Sequence, residues 1–296
     1  MKIIDSHIHF FTPKVISNVS RKTEMVQQLR LQTKGAERRT SPEALQKDLL
    51  TAGASGALLL PTAGINAVQK TNRTCIETAS RFNWLYTAGT LHPGYPHNET
   101  ELAYLRANGV RVIKFCSFSQ GFALDSSVTL KMFDAIQTVN EGSQTPFAVV
   151  LDTLQRADIH FGTLPEYNTT PKGLGKLADR YPGINFIGAH MGGLNASFDE
   201  MNRYLTPRPN LFLDTSNQAH LLSPKEFLRL LETHGPHRIL FGTDWPWFIQ
   251  EKEVEHIDGL LNRAGFSEKE KNSVFSVNIS HLLGRNLTSR PLNARP

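Results

Sequence analysis

Short apolar runs recur along the chain, and the intervals between them are long enough to hold a helix. Each run is nearly continuous in aliphatic and aromatic residues, as expected for parallel strands that are buried on both faces. The predicted strands span residues 2–10, 56–61, 85–92, 110–116, 147–152, 185–190, 210–215 and 238–244. Eight strands that alternate with helices in 296 residues predict an α/β protein, a single-domain (β/α)8 TIM barrel.

The segments between the runs carry signals for helix starts. Ser41-Pro42, Thr170-Pro171 and Ser223-Pro224 each place a hydroxyl side chain at the N-cap, before a proline at the first helical position. The alternative architecture is an open, doubly wound sheet. The first strand lacks the Gly-x-Gly-x-x-Gly turn that is typical of nucleotide-binding open sheets, which favours the closed barrel.

Residues 12–40 interrupt the barrel pattern directly after the first strand. This segment is polar and basic, with only a weak helical pattern in its second half. Because it follows the end of a strand, we expect it either to cover the barrel mouth as a lid or to form an irregular surface loop. The barrel is expected to occupy residues 1–287, and residues 288–296 are expected to form a C-terminal tail.

The first predicted strand carries three polar side chains on one face. Asp5, His7 and His9 alternate with other residues, so their side chains point in the same direction. Burying them inside a barrel is costly unless their polar atoms are satisfied. Two imidazoles at the end of one strand could share a cation, or they could be a pair of hydrogen-bonded core histidines.

Two further strands end in candidate ligands. The sixth strand ends at His190 and the eighth ends at Asp244. The C-terminal ends of barrel strands meet at one rim, where catalytic groups gather. Three histidines and one carboxylate on that rim predict a site for a divalent metal ion.

The motifs around these residues resemble those of the amidohydrolase superfamily, in the branch that contains the amidohydrolase 2 and amino-carboxymuconate-semialdehyde decarboxylase-like proteins. The matching pieces are the Asp-x-His-x-His first strand, Gly-Ala-His-Met-Gly-Gly at 188–193 and Phe-Gly-Thr-Asp-Trp-Pro at 241–246. The resemblance implies that His7, His9 and Asp244 bind a metal and that Asp244 also takes a proton from water. It implies that His190 acts as a general acid or base, a hydrogen-bond donor to substrate, or a ligand of a second metal.

The fifth strand departs from the pattern of this family. Relatives usually place a metal-binding histidine at its end, where this chain has Asp152. We expect Asp152 to be a metal ligand, since carboxylate oxygen suits zinc and suits manganese or magnesium better. The alternatives are that His160 fills the gap, or that the barrel works without a metal.

Four residues are predicted to contact the substrate: Lys114, His92, His160 and Trp245. Lys114 lies near the end of the fourth strand, where it could bind a substrate carboxylate or pair with a nearby aspartate. His92 stands at the end of the third strand, where it would wall the pocket. Trp245 lies just past the eighth strand, where it would either wall the pocket or merely pack against the rim.

The composition argues against several classes of function. The net charge of +5 is dispersed along the chain, which argues against nucleic acid as a partner. The longest aliphatic run, at 57–60, is too short to span a membrane. Two cysteines cannot build a disulfide framework, and a charged fifth residue argues against a signal peptide. We therefore expect a cytoplasmic protein, with a homo-oligomer left open.

The sequence as a whole predicts a metal-dependent hydrolase that uses water activated by one divalent ion. Zinc is the first expectation, with manganese or magnesium as alternatives. The expected substrate is a small, anionic carbonyl compound with an amide, lactone or ester bond. Two alternatives remain open: non-oxidative decarboxylation of an aromatic or enol carboxylic acid at the same site, and a degenerate barrel that only binds a ligand.

Overall fold

The computed structural model describes residues 2–284, and within them eight strands form one closed parallel barrel, which confirms the predicted fold. The strands are β1 (Ile4–Ile8), β2 (Gly56–Leu59), β3 (Leu85–Thr87 and Gly89–Thr90), β4 (Val112–Phe115), β5 (Ala148–Leu151), β6 (Asn185–Gly188), β7 (Leu211–Asp214) and β8 (Ile239–Leu240). Each strand pairs in parallel with the next one along the chain. The predicted tail at 288–296 lies outside the described residues.

Backbone hydrogen bonds between the end of the last strand and β1 close the barrel. The amide of Asp244 donates to the carbonyl of His7 at 3.0 Å, and the amide of His9 donates to the carbonyl of Trp245 at 2.8 Å. Ile8 forms a parallel bridge with Trp245. This seam places Asp244 directly beside the two histidines of β1.

Helices connect the strands. The α-helices are α1 (Pro13–Ser20), α2 (Thr23–Gln28), α3 (Pro42–Thr51), α4 (Val68–Ser80), α5 (Asn98–Ala107), α6 (Ser117–Gln120), α7 (Ser127–Asn140), α8 (Ala157–Phe161), α9 (Pro171–Arg180), α10 (Phe198–Tyr204), α11 (Pro224–His234), α12 (Gln250–Arg263), α13 (Glu268–Asn272) and α14 (Asn278–Leu282). Short 3-10 helices cover Ala36–Arg38, Pro165–Tyr167, His190–Gly192 and Gln218–His220, and a π-helix covers Ser273–Val277. Among residues 2–284, none of the helices has the length and apolar character that crossing a membrane requires.

The predicted helix starts are present because their hydroxyl groups satisfy free backbone amides. The side chains of Ser41, Thr170 and Ser223 each accept a hydrogen bond from the amide three residues later. In each case a proline occupies the first turn, where its missing N–H costs nothing.

The inner face of the barrel is apolar in its lower part and polar at the rim. Val112, Val150 and Phe212 belong to one buried apolar cluster. Side chains two residues apart on a strand share a face. The residues two positions further along these strands are therefore on the same face, and all three are polar: Lys114, Asp152 and Asp214. The two-residue repeat of a strand therefore places these three polar side chains on the inner face, at the C-terminal rim.

Residues 12–40, the lid segment, lie over this rim. Met25 packs with Leu154, which follows β5, and Ile16 packs with Trp247, which follows β8. The sequence pattern did not predict α1, although Thr12 caps it through an accepted hydrogen bond. The contacts with two separate parts of the rim place the segment over the barrel mouth.

The last strand is shorter than its apolar run predicts. The predicted strand extends to residue 244, whereas β8 ends at Leu240. Asp244 has a φ of 65°, which is incompatible with a β-strand. The chain therefore leaves the ladder before the rim and turns the Asp244 carboxylate toward the histidines.

Two helical glycines provide a test of the helix packing. A Cβ at Gly175 would lie 2.5 Å from the carbonyl oxygen of Tyr204, whereas nothing lies within 4 Å of a Cβ at Gly259. We expect Gly175→Ala to lower the free energy of unfolding by about 1–3 kcal/mol, because a backbone atom must move. Gly259→Ala should raise it by about 1 kcal/mol through helix propensity. Urea unfolding followed by circular dichroism measures both, and equal stability of the two variants would contradict the packing.

Candidate metal centre

The rings of His7 and His9 face each other at the end of β1, with their Nε2 atoms 3.0 Å apart. The Nδ1 atom of His7 lies 2.9 Å from Oδ2 of Asp214, and Nδ1 of His9 lies 3.0 Å from the carbonyl oxygen of Leu60. Both partners are acceptors, so the hydrogen-bond network assigns the proton of each ring to Nδ1. The two Nε2 lone pairs therefore point at each other, which is unfavourable unless a cation or a shared proton lies between them.

Asp244 brings a carboxylate to the same point. Its Oδ1 atom lies 3.7 Å from Nε2 of His7 and 3.5 Å from Nε2 of His9. Asp5 holds Thr243, the residue before Asp244, in place. The carboxylate of Asp5 accepts hydrogen bonds from the amide and the hydroxyl of Thr243 at 3.1 and 2.6 Å. Asp5 therefore positions the loop that carries Asp244.

A second group of candidate ligands shares His7. One ligand atom each of His7, Asp152 and His190 lie within 4.8 Å of one another. Oδ1 of Asp152 is 3.7 Å from Nε2 of His190, and its Oδ2 accepts from Nζ of Lys114 at 3.1 Å. The side chain of Lys114 is completely buried. Of the two alternatives for Lys114, the structure shows the ion pair with a nearby aspartate.

Asp214 and Ser216, at the end of β7 and just beyond it, support the histidines, and the sequence analysis missed both. Besides its contact with His7, Asp214 accepts from the backbone amide of His190 at 2.9 Å. Nδ1 of His190 lies 2.8 Å from Oγ of Ser216 and 3.2 Å from its carbonyl oxygen. Such contacts to the far side of a ring fix its orientation and tautomer. The sequence does show a carboxylate, Asp214, at the end of the predicted seventh strand, and this could have marked it as a site residue.

Burial and neighbouring charges separate the proton affinities of these groups. Burial, and then the charge of His7, lowers the pKa of His190 to about 4. Burial, and then repulsion from Asp152, raises the pKa of Asp244 well above its usual range. Burial would also raise the pKa of Asp152, but attraction to Lys114 and to the histidines outweighs it and holds that pKa below its usual range. Asp152 is therefore an ionised partner of Lys114, and Asp244 is the carboxylate with the stronger demand for a positive charge.

The donor set fits a divalent cation. Ligand atoms at about 2.0–2.2 Å around a tetrahedral zinc ion lie roughly 3.4 Å from one another. The distances among the donor atoms of His7, His9 and Asp244 are 3.0, 3.5 and 3.7 Å. Imidazole nitrogen and carboxylate oxygen together suit zinc and manganese. A divalent ion between these atoms would explain why two nitrogen lone pairs and a carboxylate converge in the interior.

A cavity of about 550 Å³ lies at this rim. The polar groups described above that line it are His9, Lys114, Asp152, His190 and Asp244. The lid segment contributes apolar side chains, among them Val15, Met25 and Leu29. Of the candidate metal ligands, His9, Asp152 and Asp244 are therefore accessible to a small molecule beneath the lid segment.

The structure corrects the prediction for Trp245. Its indole is fully buried, packs edge-on against Phe10, and donates to Oδ2 of Asp48 at 3.0 Å. It does not line the cavity, because the turn at Asp244 directs the next side chain into the core. Trp247 lines the cavity instead.

His92 and His160 are also absent from the cavity lining formed by residues 2–284, so their predicted contacts with substrate are not supported. Nε2 of His92 bonds to the carbonyl oxygen of Gln120 at 2.9 Å, which turns its ring toward α6. His160 lies on α8 and belongs to neither group of candidate ligands in the described part of the chain. Asp152, and not His160, stands at the end of β5 beside the histidines.

The chain belongs to the amidohydrolase family, since the model of the family described as Amidohydrolase matches residues 4–285. The resemblance predicted from the motifs is confirmed, and the protein is a metal-dependent enzyme of this class. A search of curated proteins found no match.

Several solved structures share the fold. An uncharacterized TIM-barrel protein from Bordetella bronchiseptica has a TM-score of 0.71 at 14% identity, covering 96% of this chain and 99% of that one. A 5-carboxyvanillate decarboxylase from Novosphingobium aromaticivorans, complexed with manganese and 4-hydroxy-3-methoxy-5-nitrobenzoic acid, has a TM-score of 0.69 at 16% identity, covering 95% and 96%. A probable 2-pyrone-4,6-dicarboxylic acid hydrolase from Acinetobacter baumannii, with citric acid bound, has a TM-score of 0.60 at 15% identity, covering 96% and 100%. These likenesses extend over whole chains and show a common barrel.

Asp214→Asn tests whether this carboxylate supports the metal site through His7. We expect the affinity for zinc or manganese to fall about 10–100-fold, because the His7 ring loses its charged partner. Calorimetric titration of the metal-free protein measures the change. Asp134→Asn, an exposed carboxylate on α7, is the matched control and should leave the affinity unchanged. If Asp214→Asn binds metal as tightly as the unmodified protein, the supporting role is wrong.

Proposed function

We propose that the protein is a hydrolase that cleaves an ester, lactone or amide bond in a small carbonyl compound, with one divalent metal ion at the barrel rim. The observation that carries this proposal is the convergence of the Nε2 atoms of His7 and His9, 3.0 Å apart, on the carboxylate of Asp244. The other nitrogen of each ring is already bonded. The free donor atoms therefore face one point, beside a cavity of the size of a small ligand.

His7, His9 and Asp244 would hold the ion, and Asp152 would complete the set as a further carboxylate ligand. A bound divalent cation polarises a carbonyl group and lowers the pKa of water. Burial, with the charges of His7 and Lys114, lowers the pKa of His9 well below its usual range. His9 is therefore neutral at pH 7 and available as a ligand. Zinc suits two nitrogens and two oxygens, and manganese or magnesium are the alternatives.

Asp244 is the proposed general base. Its carboxylate lines the cavity, where a water molecule can approach a bound carbonyl group. A carboxylate within reach of that water molecule can accept its proton. In this role Asp244 takes the proton from water as the oxygen attacks the substrate carbonyl.

His190 is the proposed second proton-transfer group. Its Nδ1 donates to Ser216, which leaves Nε2 as the unprotonated atom of the ring. Nε2 lies 3.7 Å from Asp152, and the residue lines the cavity. The proton that Asp244 takes from water passes to the neutral ring of His190, which then delivers it to the leaving group.

Metal removal gives the first test of the proposal. Treatment with a chelator should abolish turnover across a panel of esters, lactones and amides, because the ion is needed to activate water. Addition of zinc or manganese should restore it, and elemental analysis should find one divalent ion per chain.

Other results would identify a different function. Release of CO2 from aromatic or enol carboxylic acids, without turnover of the ester, lactone and amide panel, would establish a decarboxylase on the same ligands. Substoichiometric metal after growth with added zinc or manganese, together with inactivity on both panels, would establish a barrel that only binds ligands.

Asp244→Asn tests the general base. We expect kcat to fall about 10²–10⁴-fold at saturating metal, because an amide cannot accept the proton. Metal content must be measured in parallel, so that loss of the ion is distinguished from loss of the base. Asp199→Asn, at an exposed position in the first turn of α10, is the control and should keep full activity. Activity of Asp244→Asn within a few-fold of the unmodified enzyme would remove Asp244 from the chemistry.

A further inference from the structure

Few charged side chains line the cavity. Among residues 2–284, the lining includes only Lys114, Asp152 and Asp244 as charged groups, and it includes no arginine. Lys114 is already paired with Asp152, with 3.1 Å between Nζ and Oδ2. A carboxylate on the body of a substrate would meet two carboxylates here and no uncommitted cationic side chain. Burying such a charge without a partner is costly.

The basic residues of the lid segment do not supply that partner. Nζ of Lys22 donates to the carbonyl oxygen of His160 at 2.8 Å, and the guanidinium of Arg30 donates to the carbonyl oxygen of His220. None of the lysines and arginines of the segment lines the cavity. The side chains that the segment does place there are apolar: Val15, Val19, Met25, Leu29 and Leu31.

The rest of the lining is mostly apolar, although it also includes the hydroxyl groups of Thr62, Thr71, Thr74, Thr78 and Ser119. Phe118 and Phe161 stack with ring centroids 5.0 Å apart, and both line the cavity together with Trp247. Val15 and Phe161 are 38% and 37% exposed. Contiguous apolar surface that faces solvent at a cavity is characteristic of a site for an apolar ligand.

One buried polar side chain in the described part of the cavity lining has no hydrogen-bond partner. Asn217 is fully buried and lines the cavity, and neither amide atom has a hydrogen bond within the described residues. Its backbone has a φ of 57° and a ψ of −43°, a conformation that side-chain-bearing residues rarely adopt. A buried amide without partners is unfavourable, and it can both donate and accept. It therefore matches a neutral carbonyl or hydroxyl group of a ligand.

We propose that the cavity takes an uncharged substrate with an apolar body, and that Asn217 binds the polar group of that substrate. The proposal rests on the hydrolase function proposed above and names its substrate class. It differs from the anionic substrate that the sequence predicted, because, apart from the proposed metal ion, the described lining offers the body of an anion no uncommitted cation.

A matched substrate series tests the class. The metal-loaded full chain is assayed with γ-lactones whose alkyl chains increase in length, and with the same lactones ending in a carboxylate. We expect kcat/KM to rise about fourfold per added methylene until the cavity is filled, and to drop for each carboxylated partner. Binding is measured in parallel by displacement of an apolar fluorescent probe, so that affinity is known even for a compound that is not cleaved.

A charge introduced at the entrance provides a control. Val15→Lys should improve binding of the carboxylated lactones relative to the neutral ones, because it adds an uncommitted cation to the lining. Val128→Lys adds the same charge on α7, at an exposed valine that does not line the cavity, and should change neither.

Asn217→Gly tests the polar contact. We expect kcat/KM for the neutral lactones to fall about 5–100-fold through the lost hydrogen bonds. The urea midpoint should change little, because the amide has no protein partner to lose and glycine tolerates a positive φ. A purely structural asparagine would give the reverse result, a lower midpoint with unchanged kcat/KM, and would overturn the assignment.

The series separates this proposal from the proposed function. Neutral lactones that bind with increasing affinity along the series but are never cleaved would support the substrate class and remove the hydrolase. Carboxylated lactones that bind or react better than their neutral partners would overturn the substrate class. Neutral lactones that do not bind, or bind independently of chain length, would overturn it as well.

Discussion

Two imidazole rings at the end of β1 are held with their unprotonated Nε2 atoms 3.0 Å apart, and the rest of the site is arranged around this repulsion. Asp214 fixes one ring and the carbonyl of Leu60 fixes the other, each through Nδ1. Neither ring can turn away without breaking a buried hydrogen bond. A cation converts the repulsion into coordination, and Asp244 adds the negative charge that such an ion requires. The orientation of the ligands is therefore supplied by folding, before any ion is bound.

The geometry of the site depends on residues at the rim whose backbone leaves the strand conformation. His190, Asn217 and Asp244 follow β6, β7 and β8, and all three have a positive φ, of 56°, 57° and 65°. This conformation is unfavourable for residues with a side chain and persists only where the surroundings impose it. Here the surroundings are the hydrogen bonds of a closed barrel, such as that from the amide of Asp244 to the carbonyl of His7. The stable part of the fold thus maintains strained residues where the chemistry is proposed.

Strand periodicity explains which parts of this site the sequence could predict. His7 and His9 alternate along β1, and Asp152 ends the inner face of β5, so a period of two was enough to bring them to one rim. The same period places Asp214 at the rim, but its contact with the far side of the His7 ring depends on the folded barrel and cannot be read from the spacing. Trp245 was assigned wrongly because the alternation stops at the turn before it, where its indole enters the core.

The lid segment places its basic and its apolar side chains on different sides. Its basic side chains lie on the outside, where Lys22 and Arg30 bind carbonyl oxygens of loops at the rim. These contacts fasten the segment to the barrel with its apolar side chains facing inward. Asp244 is only 6% exposed beneath the segment, and electrostatic interactions strengthen where bulk water is excluded and the local dielectric constant falls. A substrate with an apolar body extends the same effect, because the part of the molecule that fills the cavity excludes bulk water and leaves beside Asp244 only the water molecule that attacks the carbonyl group.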